Sequence, residues 1–187
     1  MDEQKTENAP KKESSLKEFV KFFVVAALIV VPLRLWVAQP FIVRGASMEP
    51  TYENGEYLVV DEFSYHFRSP QRGEVIVFRF PEDTSKIFIK RIIGLPGEKV
   101  EILDNQIHIY NKDFTNGFLL KESYIGEFNA MITADMAIIL NSDEYFVLGD
   151  NRPASSDSRL WGSLKQNLII GRTWLRLFPF NRISVFP

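Results

Sequence analysis

The stretch KIFIKRIIGLPGEKVEILDNQIHIYN, residues 86–111, consists of short runs in which apolar and polar residues alternate. Such period-two runs, rich in isoleucine and valine, predict β-strands rather than helices. Asp104-Asn105 lies between the last two runs and predicts a tight hairpin turn. Pro96-Gly97 predicts the turn that precedes them. This stretch therefore indicates an antiparallel sheet.

Further runs of the same kind lie on both sides of this stretch, and no long helical pattern interrupts them after residue 39. Short strands without long helices are typical of an all-β domain, either barrel-like or sandwich-like. We therefore predict one β-rich domain over residues 39–187, in which the less regular residues 112–143 form an insertion or a small subdomain. The other predicted strands are residues 41–43, 56–63, 74–80, 144–150 and 169–178.

The N-terminal part of the chain has a different composition. Residues 1–15 are polar and predict a disordered tail. Residues 16–38 contain an apolar run close to the roughly 20 residues that a membrane-spanning helix needs. A cleavable signal peptide is the alternative, but Arg34 and Trp36 follow the apolar run and no small-x-small cleavage site does. We therefore predict an uncleaved transmembrane anchor over residues 16–38.

Positive charges set the predicted orientation of this anchor. Cationic residues are more numerous before its apolar run than directly after it. The positive-inside rule then leaves residues 1–15 in the cytoplasm and residues 39–187 outside it, in a single-pass protein of the cell membrane. The charges before the run are Lys11, Lys12, Lys17 and Lys21, and those after it are Arg34 and Arg44.

The composition of the chain argues against several kinds of partner and site. Lysine and arginine total 22 against 24 aspartate and glutamate, a net charge of −2, so no nucleic acid partner is expected. The chain has no cysteine, and its two histidines, His66 and His108, are far apart in sequence. A zinc site, a thiol nucleophile and a Ser-His-Asp triad are therefore not expected. We predict no metal and no cofactor.

Two candidate catalytic residues belong to separate motifs. Ser47 follows the small residues of GASMEPT, residues 45–51, although a lone serine in such a loop more often only caps a turn. Strand alternation places Lys90 on the face of Phe88 and Ile92, with Arg91 on the opposite face. One of these two cations must then face inward, and burial would lower the pKa of a lysine as a general base requires. The alternative is an edge-strand lysine that faces water.

A third motif, GDNRPASSDSRLWG, spans residues 149–162 and follows a predicted apolar strand. It carries two aspartates and two arginines within ten residues. Ion pairs between them could hold the loop in one conformation and present its serines to a site. The alternative is a solvated loop, because surface ion pairs contribute little stability.

Together the anchor, QPFIVRGASMEPT (39–51), KRIIGLPGE (90–98) and the third motif resemble type I signal peptidases, the Ser-Lys enzymes that remove signal peptides from exported proteins. The resemblance implies that Ser47 is the nucleophile, that its backbone N–H stabilises the oxyanion, and that Lys90 is the general base. It also implies that Ser155 orients the lysine. Ion pairs would stabilise the loop through Asp150, Asp157, Arg159 and Arg91.

The same resemblance implies coiled, barrel-like β-sheets of the signal-peptidase type, with no cofactor and with signal peptides of exported preproteins as substrates. Contact with membrane lipid and with the translocation machinery would follow. The chain departs from the family at Ala154, where asparagine is usual, and at Gly45, where some relatives have a serine that donates to the oxyanion. A self-cleaving repressor-type protease and a membrane-anchored, non-catalytic β module remain as alternatives.

Overall fold

The computed structural model of the protein describes residues 15–32, 38–126, 132 and 135–186. The chain divides into two compact units, residues 1–37 and 38–187. The first unit contains helix α1, Ser15–Pro32. The predicted disordered tail lies outside the described residues except for its last residue.

Helix α1 is shorter than the predicted anchor. It carries Lys17, Glu18 and Lys21 in its first half, followed by a run of apolar residues. Several of its apolar side chains are exposed, among them Phe22 and Leu28. Within the described residues, no helix is both long and apolar enough to cross a membrane. The span predicted over residues 16–38 is therefore not confirmed.

The second unit consists mainly of antiparallel strands, as the alternating pattern predicts. Besides a short helix α2, Ser158–Trp161, and four three-residue 3₁₀ helices, its regular elements in the described residues are twelve strands. These are β1 Ala38–Ile42, β2 Tyr57–Asp61, β3 Val75–Phe80, β4 Asp83–Gly94, β5 Lys99–Leu103, β6 Gln106–Tyr110, β7 Phe118–Leu119, β8 Met136–Ile139, β9 Glu144–Leu148, β10 Leu164–Lys165, β11 Ile169–Phe178 and β12 Ser184–Val185.

The strands form two sheets in the described part of the chain. The larger has the order β1-β2-β11-β3-β4-β9-β10, with β12 paired to β11, and the smaller has the order β7-β6-β5-β8. In the larger sheet β1 and β10 are the two edges and do not pair with each other, so the sheet stays open. The expectation of a barrel-like domain is therefore wrong in this respect, whereas the prediction of a mostly β domain is confirmed.

The predicted hairpin at Asp104-Asn105 joins β5 to β6. Both turn residues have positive φ, 49° and 64°, as a two-residue type I′ turn requires. Strands β7 and β8, both from residues 112–143, pair with β6 and β5 and complete the smaller sheet. Part of this segment is thus built into a sheet, while residues 127–131, 133 and 134 lie outside the description.

Strand β4 lies between the hydrophobic clusters of the second unit. Ile92 packs with Phe78 and Val147 on one side, and Ile93 packs with the smaller sheet on the other. A third cluster contains Met48 and packs against Ile89. Because both faces of β4 are covered near its C-terminal end, any charged side chain there is withdrawn from water.

Candidate active site

The structure brings Ser47 and Lys90 together. Lys90 lies on β4, is only 4% exposed, and its Nζ is 2.7 Å from the Ser47 Oγ. The same Nζ donates to the backbone carbonyl of Ile89 at 2.9 Å. It also lies 5.4 Å from the ring centroid of Phe88. The solvent-facing alternative for Lys90 is therefore wrong.

The surroundings of Lys90 disfavour its charged form. Burial lowers the pKa of Lys90 from 10.5 to about 8, although the charges of Asp157 and Asp150 act in the opposite direction. No carboxylate accepts a hydrogen bond from its Nζ among the described residues. A substantial fraction of the side chain is thus a neutral amine near pH 8, with a lone pair that can accept a proton.

The backbone on both sides of Ser47 is held by Asn151, a residue that the sequence analysis did not single out. The Asn151 N–H donates to the Ser47 carbonyl at 3.0 Å, and its Nδ2 donates to the Ala46 carbonyl at 3.1 Å. A trans peptide is planar, so its N–H points away from its carbonyl. The second contact therefore also sets the direction of the Ser47 N–H.

Arg91 is buried as well, on the opposite side of β4 from Lys90. Its Nε and Nη2 donate to the two carboxylate oxygens of Asp150 at 2.8 and 2.6 Å, and its Nη1 donates to the Gly73 carbonyl. Thr51 donates to the same carboxylate at 2.6 Å. The sequence argument required one inward cation, but the structure buries both, because Asp150 neutralises the second.

Asp157 and Arg159 also form an ion pair, with the Arg159 Nε 2.7 Å from Asp157 Oδ1. The other Asp157 oxygen accepts from the Gly149 N–H, and the Arg159 Nη2 donates to the Arg152 carbonyl. Asp157 caps the start of α2 as well. The loop therefore has a defined conformation stabilised by buried ion pairs, and the solvated-loop alternative is wrong.

The structure does not bring the Ser155 hydroxyl onto Lys90. The Ser155 Oγ is buried and has no hydrogen-bond partner among the described residues. It lies against Gly149, where an added Cβ would overlap both the Ser155 side chain and the Ser47 carbonyl. Glycine is thus required at this close approach of the loop to the serine backbone, and the orienting role of Ser155 stays a prediction.

A cavity of about 490 Å³ lies in front of Ser47 and Lys90. Its walls are mostly apolar and are formed by residues 41–47 and 87–90, with Ala154 and Ser156 at one end. Strand β4 pairs with β9 only from Arg91 onward, so in the described structure its other edge is unpaired over residues 83–90. An extended peptide could add to such an edge.

Comparison with known proteins identifies the family of this chain. The family model described as "Signal peptidase, peptidase S26" matches residues 16–178. This chain belongs to that family. As a member of it, the protein is a hydrolase of peptide bonds, and the self-cleaving repressor alternative is set aside.

Individual signal peptidases are similar over most of the chain. A probable signal peptidase I-1 of Synechocystis sp. is 39% identical, with 89% of this chain and 85% of that relative covered. Signal peptidase I T of Bacillus subtilis is 34% identical over 98% of both chains. A crystal structure of a signal peptidase I from Enterococcus faecalis is 34% identical, covers 56% of this chain and 97% of that chain, and has a TM-score of 0.48.

Proposed function

We propose that this protein cleaves signal peptides from exported preproteins, with Ser47 as the nucleophile and neutral Lys90 as the general base. The observation that carries the proposal is the buried Lys90 Nζ, 2.7 Å from the Ser47 Oγ, with a pKa lowered to about 8. A serine hydroxyl is a weak nucleophile until a base within hydrogen-bond reach accepts its proton. Lys90 lies within hydrogen-bond reach of the Ser47 hydroxyl and, as a neutral amine, can accept its proton, so no histidine is needed.

The reaction then follows the usual course of acyl transfer. The Ser47 Oγ attacks the scissile carbonyl carbon while its proton passes to the Lys90 Nζ. The tetrahedral intermediate collapses as the Lys90 ammonium returns this proton to the leaving amine, which releases the mature protein. Lys90 next takes a proton from water, whose oxygen attacks the ester, and Ser47 recovers its proton when the signal peptide leaves.

The Ser47 backbone N–H is proposed to stabilise the oxyanion. The peptide that contains it is oriented by the contact between Asn151 and the Ala46 carbonyl. Preorganised donors of this kind are worth about 3–4 kcal/mol each to the transition state. In this proposal Asp150, Asp157, Arg159 and Arg91 stabilise the surrounding loop.

Ser155 is proposed to orient Lys90 during turnover. Its buried hydroxyl has no hydrogen-bond partner among the described residues. An unsatisfied buried hydroxyl is costly, so a contact with the Lys90 ammonium formed during acylation would be favourable. Ala154, which precedes it, lines the cavity with a methyl group only.

The proposed substrate is an extended peptide with small side chains near the cleavage site, in the manner of A-x-A. Two features support it: the mostly apolar cavity beside Ser47 and the unpaired edge of β4 over residues 83–90. Backbone hydrogen bonds along that edge would hold the peptide, and alternate side chains would enter the cavity.

The membrane part of the proposal has separate support. Residues 16–38 are proposed to anchor the chain, with residues 1–15 in the cytoplasm and residues 39–187 outside it, near the translocation machinery. The apolar side chains exposed along α1 support an apolar environment for that helix. In the second unit Phe178 and Phe180 are also exposed and offer lipid contacts.

The test is cleavage of a purified preprotein, with N-terminal sequencing of the product. We expect the wild-type protein to cut after the A-x-A site and both Ser47→Ala and Lys90→Ala to be inactive. The exposed Ser69 and Lys165 provide matched controls, Ser69→Ala and Lys165→Ala, which should cleave normally because neither side chain lines the cavity or the β4 edge. Loss of cleavage in only one of the two site variants would remove the joint Ser-Lys mechanism. A wild-type protein that leaves the preprotein uncut would remove the proposed substrate.

A further inference from the structure

Two side chains outside the three motifs contact the candidate site from the segment between β7 and β8. Glu122 and Tyr124 precede the residues of this segment that lie outside the description. Tyr124 donates from its hydroxyl to a Glu122 carboxylate oxygen at 2.5 Å. The two side chains thus form one polar unit, which approaches the loop of residues 149–159.

Glu122 pairs with Arg152, whose side chain is only 1% exposed. The Nη1 and Nη2 of Arg152 donate to the two Glu122 oxygens, and its Nε donates to the Gly149 carbonyl at 3.0 Å. No other carboxylate pairs with Arg152 among the described residues. Removing the charge of Glu122 would leave an uncompensated buried cation against Gly149, which is strongly unfavourable.

Tyr124 acts on the other arginine of the site. Its ring lies under the Arg91 guanidinium, 3.9 Å from the ring centroid, while Arg91 donates to Asp150. Asp150 in turn accepts from Thr51, four residues after Ser47. A desolvated cation–π contact of this kind favours one orientation of the guanidinium.

We propose that Glu122 and Tyr124 are positioning residues for this site: they hold Arg152 and Arg91, and through them keep the loop of residues 149–159 against the Ser47 backbone. The inference rests on the proposed function for its kinetic consequence. It gives Glu122 and Tyr124 a role in aligning Ser47, because Asn151 of this loop donates to the Ser47 carbonyl and an added Cβ at Gly149 would overlap that carbonyl.

The smaller sheet contains a matched control. Lys99, Tyr110 and Glu101 repeat the same chemistry: Tyr110 donates to Glu101 at 2.7 Å, and the Lys99 Nζ lies 4.7 Å from the Tyr110 ring centroid. This control triad is more exposed and none of its side chains lines the cavity. Corresponding substitutions therefore remove the same kinds of contact, a tyrosine–glutamate hydrogen bond and a glutamate–cation pair, in residues that do not line the cavity.

The experiment compares Glu122→Gln and Tyr124→Phe with Glu101→Gln and Tyr110→Phe. For each full-length variant we would measure kcat and KM for preprotein cleavage, the thermal midpoint, and amide hydrogen exchange of residues 149–159. We expect Glu122→Gln to lower kcat about 30-fold with KM nearly unchanged, because a small misplacement of catalytic groups can cost about 100-fold. Tyr124→Phe, which keeps the ring, should lower kcat about threefold, and Glu122→Asp should restore part of the loss.

Hydrogen exchange separates this inference from the proposed function. Exchange across residues 149–159 should rise about tenfold in Glu122→Gln and stay unchanged in both control variants. If the wild-type protein cleaves no preprotein, the exchange comparison still tests the positioning role. If Glu122→Gln does not fold, Tyr124→Phe decides in the same assays. Unchanged kcat and unchanged exchange in a folded variant would overturn the proposal, as would equal effects in the control triad.

Discussion

The two faces of β4 bury neighbouring cations in different ways. Arg91 lies against Asp150, which accepts two of its hydrogen bonds, whereas Lys90 meets a serine hydroxyl and a backbone carbonyl. Burial acts to lower the pKa of both side chains. In Arg91 the hydrogen bonds and charge of Asp150 outweigh burial and raise the pKa, while in Lys90 burial prevails and the pKa falls to about 8.

In the proposed function this difference distinguishes a structural cation, Arg91, from the general base, Lys90. A buried cation with a bidentate carboxylate stays charged and holds two segments together. A buried amine without such a partner loses its proton readily and becomes a base. Adjacent residues on one strand can therefore have different roles, because each side chain enters a different set of neighbours.

The largest expected change in stability comes from the Arg91 face. Asp150→Asn leaves the guanidinium buried without its charge partner, and breaking such a pair costs about 3–5 kcal/mol. Chemical denaturation at neutral pH measures the loss. The ion pair of Lys86 with Asp83, at the exposed start of the same strand, is the control. Asp83→Asn should leave the free energy of unfolding nearly unchanged, and equal losses in the two variants would contradict the contrast.

Replacing Lys90 should change the free energy of unfolding in the opposite direction from Asp150→Asn. The drop of the Lys90 pKa from 10.5 to about 8 corresponds to about 3 kcal/mol of lost stability at pH 7, at about 1.4 kcal/mol per pH unit. Lys90→Met removes the amine, so we expect an inactive protein that is more stable by up to about 3 kcal/mol.

The stability difference between Lys90→Met and the wild-type protein should depend on pH. Between pH 8 and pH 10.5 the unfolded lysine holds its proton while the folded one releases it, so wild-type stability rises. The advantage of Lys90→Met should therefore be full below about pH 8 and disappear near pH 10.5. Denaturation curves at several pH values measure it, and a constant difference across this range would contradict a lowered Lys90 pKa.

Catalysis should depend on the same protonation. Below about pH 8 most Lys90 side chains are ammonium ions, which have no lone pair. The neutral fraction, and with it the rate of single-turnover cleavage, should fall about tenfold per pH unit. Above that value the rate should reach a plateau. Asp157→Asn tests the same assignment, because the charge of Asp157 raises the Lys90 pKa. Its removal should shift the pH at which cleavage begins to fall to a lower value. A flat profile from pH 6 to 9 would exclude Lys90 as the base.

The smallest expected effect concerns the loop before Ser47. Gly45 has φ of +88°, a conformation that serine rarely adopts, although no atom would obstruct its Cβ. Gly45→Ser should therefore cost about 1 kcal/mol through backbone strain. Thermal unfolding measures this cost, and cleavage assays on the same samples measure kcat. A rise in kcat despite lower stability would mean that the added hydroxyl serves as a second oxyanion donor.

Much of the fold could be predicted because it depends on local preferences. Alternation predicted the long strands, and Asp104-Asn105 predicted a turn whose two positive φ values the structure contains. The two-residue strands β7, β10 and β12 could not be predicted, since two residues carry no periodicity. The open sheet could not be predicted either, because closure depends on whether distant edges meet.

By itself the sequence determined the alternation along β4, the small residues before Ser47 and the charges of the third motif, because each is a pattern within a few residues. The tertiary structure alone decided that Lys90 reaches Ser47 across 43 positions and that both cations are buried. It also decided that Asn151 holds the Ser47 backbone. Burial and pairing depend on which distant segments pack together, and that packing sets the pKa of Lys90.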